Sequence, residues 1–202
     1  MMRPFSLAEL ATLLDGRLLG ADVMVTGAAI DSRAVAAGDL FAALPGSRAD
    51  GHAFLAAARE AGATAALVSR PVDDPLPQLL VGDVAVALGR FARANRDLYT
   101  APLVGITGSC GKTTVKGMLA AVLGGQGPTL ATAGNLNNEL GVPLSLLRLA
   151  PEHAFAVIEL GARGIGHIAY LCELARPTVS VLLNAMEAHL EFFGSVDGVA
   201  EG

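Results

Sequence analysis

Apolar positions along the chain alternate between two spacings, and that alternation predicts an α/β protein. In Phe5-Ser6-Leu7-Ala8-Glu9-Leu10, Ser6 stands where a helix N-cap belongs, and Glu9 three residues later can reach back as a capping box. Residues 23–30 read as extended, and residues 39–44 as a strand closed by Pro45-Gly46. A helix over 53–61 ends at Gly62, and residues 65–68 follow as a strand. Pro71, Pro75 and Pro77 punctuate a loop. Over 83–98, Val84, Leu88, Phe91 and Leu98 recur at helical spacing with arginines between them. Thr100-Ala101-Pro102 is the expected end of a first, small α/β domain covering 1–100.

The second half, 101–202, repeats strand, loop and helix more regularly. Residues 103–107, 154–158 and 178–183 are continuous apolar runs. Helices are predicted over 112–123 and 166–175. Uninterrupted apolar strands separated by helices predict a parallel sheet covered on both faces.

Composition narrows the class. Of 202 residues 52% are apolar, ample for a core. Nineteen acidic against 14 basic side chains give a net charge of −5, which argues against general nucleic-acid binding. Cys110 and Cys172 are too few for a disulfide scaffold and suit a reducing cytoplasm. The longest uncharged run, between Lys116 and Glu139, contains Gly124-Gly125-Gln126-Gly127-Pro128 and three asparagines, which break a membrane-spanning helix. Glu9 and Asp15 interrupt the first apolar stretch, so no signal peptide is expected.

The sharpest chemical signal is Gly105-Ile106-Thr107-Gly108-Ser109-Cys110-Gly111-Lys112-Thr113-Thr114, between a buried strand and a helix. Backbone N–H groups of such a loop can surround phosphate oxygens at a helix N-terminus. Lys112 would face the β/γ-phosphates and Thr113 would ligate Mg²⁺. Ile106 replaces the usual first glycine of a phosphate loop, but Gly108-Ser109-Cys110-Gly111-Lys112-Thr113 is intact. An incidental glycine-rich turn is the alternative; only two lysines, Lys112 and Lys116, occur in the whole chain, which disfavours coincidence. Cys110 reads as a tolerated small side chain.

Glu159 follows an apolar strand, where a carboxylate can hold Mg²⁺ beside a phosphate loop. The alternative is a capping or solvated glutamate. His189, read alone, is more often a structural histidine than a Mg²⁺ ligand. Residues 134–141, with Asn135, Asn137 and Asn138, are either a polar turn or a set of amides for a polar substrate.

The phosphate loop, Gly134-Asn135-Leu136-Asn137-Asn138-Glu139-Leu140-Gly141-Val142-Pro143, Glu159-Leu160-Gly161-Ala162 and the run from Asn184 through His189 to Ser195 resemble, in this order, the Mur ligase family. In the first half, Asp31-Ser32-Arg33, residues 38–46 and Asp50-Gly51-His52-Ala53-Phe54 resemble that family's UDP-sugar-binding N-terminal domain. The Asn-rich segment and residues 188–195 are most similar to members that add D-alanyl-D-alanine to UDP-MurNAc-tripeptide. Members adding diaminopimelate or lysine, and a non-catalytic nucleotide- or UDP-sugar-binding fragment, are the alternatives.

The resemblance implies a small UDP-MurNAc-binding domain followed by a truncated P-loop-type ATPase domain of a cytoplasmic, monomeric ligase. It places ATP phosphates on Gly108, Ser109, Cys110, Gly111, Lys112, Thr113 and Thr114, and one Mg²⁺ on Thr113 and Glu159. His189 becomes a ligand of a second Mg²⁺, and with Lys112 a catalytic residue. Asn135, Asn137 and Asn138 would face the muramoyl peptide, and Ser32 and Arg33 the UDP portion, although an exposed strand-end turn is also a sound reading of Ser32-Arg33. Family members are more than twice this length, carry a carbamylated lysine just past the 189–195 motif and end in a further domain. No lysine follows Lys116, so the chain alone is expected to bind UDP-MurNAc-tripeptide but not to ligate.

Overall fold

The computed structural model describes residues 2–46, 49–186, 195 and 198. The chain divides into two compact units, Met1–Phe91 and Ala92–Gly202.

The first unit starts with β1 (Phe5–Ser6) and α1 (Leu7–Leu13). The capping box is present: Glu9 N–H donates to Ser6 Oγ at 3.1 Å, and Ser6 N–H to Glu9 Oε2 at 2.9 Å. Then follow β2 (Arg17–Leu19), β3 (Met24–Val25), β4 (Gly27–Ala29), β5 (Asp39–Ala42), α2 (Leu55–Glu60), β6 (Ala65–Val68), β7 (Gln78–Leu80) and α3 (Val84–Asp97). Among the described residues the sheet order is β2-β7-β6-β5-β4, parallel except for β2, which runs antiparallel to β7 at the edge. Phe41, Leu55, Ala58, Ala66, Val68 and Leu76 form one buried cluster. Phe5 meets Phe91 edge to face, with ring centroids 5.3 Å apart.

The division after Phe91 falls inside α3, ahead of the turn at Thr100-Ala101-Pro102. The last turns of α3 explain this. Asn95 Nδ2 donates to the carbonyls of Leu146 and Leu149, and Arg96 donates to those of Tyr99, Ala175 and Arg176, all in the second unit.

The second unit continues with β8 (Leu103–Thr107), α4 (Lys112–Gly124), β9 (Thr129–Ala131), α5 (Gly141–Leu146), β10 (Phe155–Glu159), α6 (His167–Ala175) and β11 (Val179–Leu182). Its sheet, β11-β8-β10-β9 among the described residues, is parallel throughout. Leu103, Ile106 and Ala156 through Ile158 are fully buried, as continuous apolar strands require. From β10 the chain crosses to the far side of β8 to form β11. The loop that follows β8 therefore leaves the carboxyl end of a strand beside the point where strand order reverses, where open α/β sheets bind ligands.

The expected α/β class with parallel sheets is therefore found. Five short strands and helices lay outside the sequence reading: β1, β2, β7, β9 and α5. Among the described residues no helix is long and apolar enough to cross a membrane.

Candidate functional site

The site forms where β8 ends. Thr107 leads through residues 108–111 into α4, and the turn needs glycine twice. Gly111, the N-cap, has φ +82°, and Gly108 has φ +144°. A Cβ on Gly108 would lie 3.0 Å from Leu183 Cβ and 3.2 Å from the Asn184 backbone. A thirteen-residue helix starts directly behind the loop, so its unpaired N–H groups and dipole face the loop's mouth. Lys112 folds back over the loop: Nζ donates to Gly108 O, and to Ser109 O at 3.4 Å.

The residues after β11 hold the other side of the loop. Ser109 N–H donates to Asn184 O and Cys110 N–H to Asn184 Oδ1, both at 3.1 Å. Ser109 Oγ donates to Met186 O at 3.0 Å and accepts from Met186 N–H at 2.8 Å.

Glu159 closes β10, the strand next to β8, and is 2% exposed. Its carboxylate gathers three partners. The Thr113 hydroxyl lies 3.2 Å from Oε2 and 3.4 Å from Oε1. Asn137 Nδ2 donates to Oε1 at 2.9 Å, and Lys116 Nζ lies 3.2 Å from Oε2. Behind it, Glu159 N–H donates to Thr132 Oγ1 at 3.0 Å. A solvated or capping glutamate is excluded by this burial.

The hydroxyl of Thr113 and the carboxylate of Glu159 are oxygen donors within 3.2 Å of each other, a pair that suits Mg²⁺. Among the described residues no three His, Cys, Asp or Glu side chains converge as a metal cage. Mg²⁺ keeps waters and phosphate oxygens among its ligands, so two protein oxygens leave room for both.

The other anticipated residues fall in different places. Asn137 reaches Glu159, whereas Asn138 Oδ1 accepts from Gly141 N–H at 2.8 Å and Leu140 N–H at 3.3 Å, capping the start of α5. Asn135 is exposed at the tip of that turn, and Thr114 is exposed on the first turn of α4. An open cavity of about 270 Å³ is lined by Glu139 of the Asn-rich turn and by Gly161, His167, Tyr170 and Leu171. In the first unit, Ser32 and Arg33 lie in a short 3₁₀ turn, Ser32–Ala34. Arg33 forks onto Asp31 through Nε at 2.9 Å and Nη2 at 2.6 Å, and this contact lowers the Asp31 pKa to about 2. His189 lies outside the described residues.

Three participants were not anticipated: Lys116, Thr132 and Asn184. Lys116 alone left a signal in the sequence, standing one helical turn after Lys112 on the same face of α4.

Comparisons with known proteins agree in both halves. A family profile described as the Mur ligase middle domain matches residues 106–202, and one described as the Mur ligase family, catalytic domain, matches residues 24–96. The chain is 50% identical over 196 residues to the UDP-N-acetylmuramoyl-tripeptide–D-alanyl-D-alanine ligase of Escherichia coli K12, covering 97% of this chain and 43% of that protein. A crystal structure of MurF from Acinetobacter baumannii superposes with a TM-score of 0.91 at 39% identity, over 98% of this chain and 45% of that one. MurF ligase from Thermotoga maritima in complex with ADP gives a TM-score of 0.78 at 38% identity, over 88% and 42% of the respective chains. The chain thus spans less than half the length of each of these relatives. Matched in order by two of the family's domains, and by relatives along nearly its whole length, the chain belongs to the Mur ligase family.

Proposed function

We propose that the chain is the UDP-MurNAc- and ATP-phosphate-binding part of a cytoplasmic ligase that adds D-alanyl-D-alanine to UDP-MurNAc-tripeptide. The second unit supplies the phosphate site of a P-loop-type ATPase domain. The observation that carries this reading is the meeting of Thr113 and Glu159 beside the Lys112 loop, at the carboxyl ends of adjacent parallel strands. The choice of D-alanyl-D-alanine as the incoming amine is supported by the names of the relatives.

In this reading Gly108 through Thr114 surround the ATP phosphates with backbone N–H groups, and the Lys112 ammonium leaves its loop carbonyls for a phosphate oxygen. The reaction transfers the γ-phosphoryl group of ATP to the terminal carboxylate of the tripeptide, giving an acyl phosphate and ADP. The amine of D-alanyl-D-alanine attacks it, and the tetrahedral adduct collapses to amide and phosphate. Repulsion between carboxylate and γ-phosphate is the main obstacle, and Lys112 lowers it by placing a positive charge between them. Mg²⁺ held by Thr113 and Glu159, and a second ion on His189, would supply further neutralisation of the same kind. The Asn135–Asn138 turn faces the muramoyl peptide, with Asn137 ordering Glu159 and Asn138 setting the turn. Ser32 and Arg33 hold the UDP portion.

Ligand-dependent melting of this chain tests the binding half. UDP-MurNAc-tripeptide, and separately ADP with Mg²⁺, are each expected to raise the melting temperature. No shift with either ligand would overturn the proposal. In the full-length protein carrying this chain, phosphate release is expected with D-alanyl-D-alanine and not with a free diamino acid.

A further inference from the structure

Lys116 is a buried cation beside the site that the proposed chemistry leaves unused. It follows Thr113 by three residues on α4, so hydroxyl and ammonium share a helix face and converge on Glu159. The Lys116 side chain is 9% exposed and that of Glu159 3%. A buried carboxylate without a compensating charge is strongly unfavourable, and so is a buried ammonium. Lys116 Nζ also donates to Gly134 O at 3.1 Å, at the head of the Asn-rich turn whose Asn137 holds the other carboxylate oxygen.

We propose that Lys116 is a positioning residue that serves as the counter-ion of Glu159 and makes divalent-cation binding at Thr113 and Glu159 conditional on bound phosphate. The inference rests on the reading of Glu159 as a cation ligand. A divalent ion arriving beside Thr113 meets an ammonium already 3.2 Å from Oε2. Its repulsion by that fixed charge goes uncompensated until phosphate oxygens bring negative charge to the loop. Phosphate and cation therefore enter together, while the empty site needs no metal to hold its carboxylate. The bond to Gly134 ties the Asn-rich turn to the same ammonium, so the turn and the carboxylate are placed by one group.

The test counts free Mn²⁺ by electron paramagnetic resonance in solutions of the whole chain, with and without ADP, alongside melting curves. Wild type is expected to bind Mn²⁺ only with ADP. Lys116→Met is expected to bind Mn²⁺ without ADP at least about tenfold more tightly than wild type, and to melt higher as Mn²⁺ is added. Lys116→Arg, which keeps the charge, should behave as wild type. Equal nucleotide-free Mn²⁺ affinity in wild type and Lys116→Met would overturn the proposal. If Lys116→Met fails to fold without metal, Lys116→Met/Glu159→Gln should fold without it, because neither buried charge of the pair then remains. A double variant that stays unfolded overturns the counter-ion role. Wild type that binds no Mn²⁺ even with ADP overturns the cation reading of Glu159, and the double variant still decides the counter-ion role on its own.

Discussion

Asn184 brackets Cys110: its Oδ1 accepts the Cys110 N–H at 3.1 Å and its Nδ2 donates to Cys110 O at 3.3 Å, across 74 positions of sequence. One amide side chain thus holds both the N–H and the C=O of a residue in the middle of the phosphate loop. Asn184→Leu removes both bonds at similar volume. It should cost about 1–2 kcal/mol of stability, measured by urea denaturation, and should weaken ADP binding by loosening the loop.

Cys110 and Cys172 should differ in reactivity. Cys110 is exposed on the loop, whereas burial pushes the Cys172 thiol pKa up. Mass spectrometry after brief treatment with a maleimide at neutral pH should find Cys110 labelled first. Saturating ADP with Mg²⁺ should slow labelling of Cys110 and leave Cys172 unchanged.

The last turns of α3 belong to the second unit and are held there by Asn95. Asn95 is buried, and its Nδ2 bridges the carbonyls of Leu146 and Leu149 at 2.9 and 3.1 Å. Asn95→Leu leaves two buried carbonyls short of a donor and should cost roughly 2–3 kcal/mol, read as a lower urea midpoint with an unchanged slope.

The first unit carries an acid-sensitive clamp. The Arg70 guanidinium, helped by the His52 N–H and ring, holds the Asp50 carboxyl well below the usual range. His52 Nε2 accepts from Ser69 N–H at 3.0 Å, so the clamp joins the turn ahead of α2 to the end of β6. A carboxyl with a depressed folded-state pKa stabilises the fold above its unfolded value, about 3.9. That stabilisation is lost as pH falls through the lower folded value. Asp50→Asn should therefore melt below wild type at pH 7, and the gap should close progressively below about pH 4.

Local signals made much of this legible. The Ser6–Glu9 capping box, β6 and β8 follow from neighbouring residues, and the structure has them at the expected positions. What the sequence hid depends on distant partners. β7 spans only Gln78–Leu80, directly after Pro77, and exists because β6 pairs with it; buried Gln78 bonds Val72 on both its N–H and its carbonyl. α5 starts at Gly141 and contains Pro143, which reads as a turn, yet Asn138 caps it and Val142 and Leu146 are buried. The phosphate loop was readable because its glycines and Lys112 are contiguous. Asn184 takes its role from Cys110, 74 positions away, and Lys116, although its spacing from Lys112 marks a shared helix face, takes its role from Glu159 on β10.

The measurement that bears most directly on this account is a calorimetric titration of the chain with ADP, with and without Mg²⁺, for wild type and Lys112→Ala. Wild type should bind ADP more tightly with Mg²⁺. Lys112→Ala should keep the wild-type melting curve and lose about tenfold to a hundredfold in affinity, the range expected for a charge-assisted phosphate contact. Equal ADP binding by the two proteins, or binding indifferent to Mg²⁺, would contradict the assignment of the Lys112 loop and Glu159 as the phosphate and cation site.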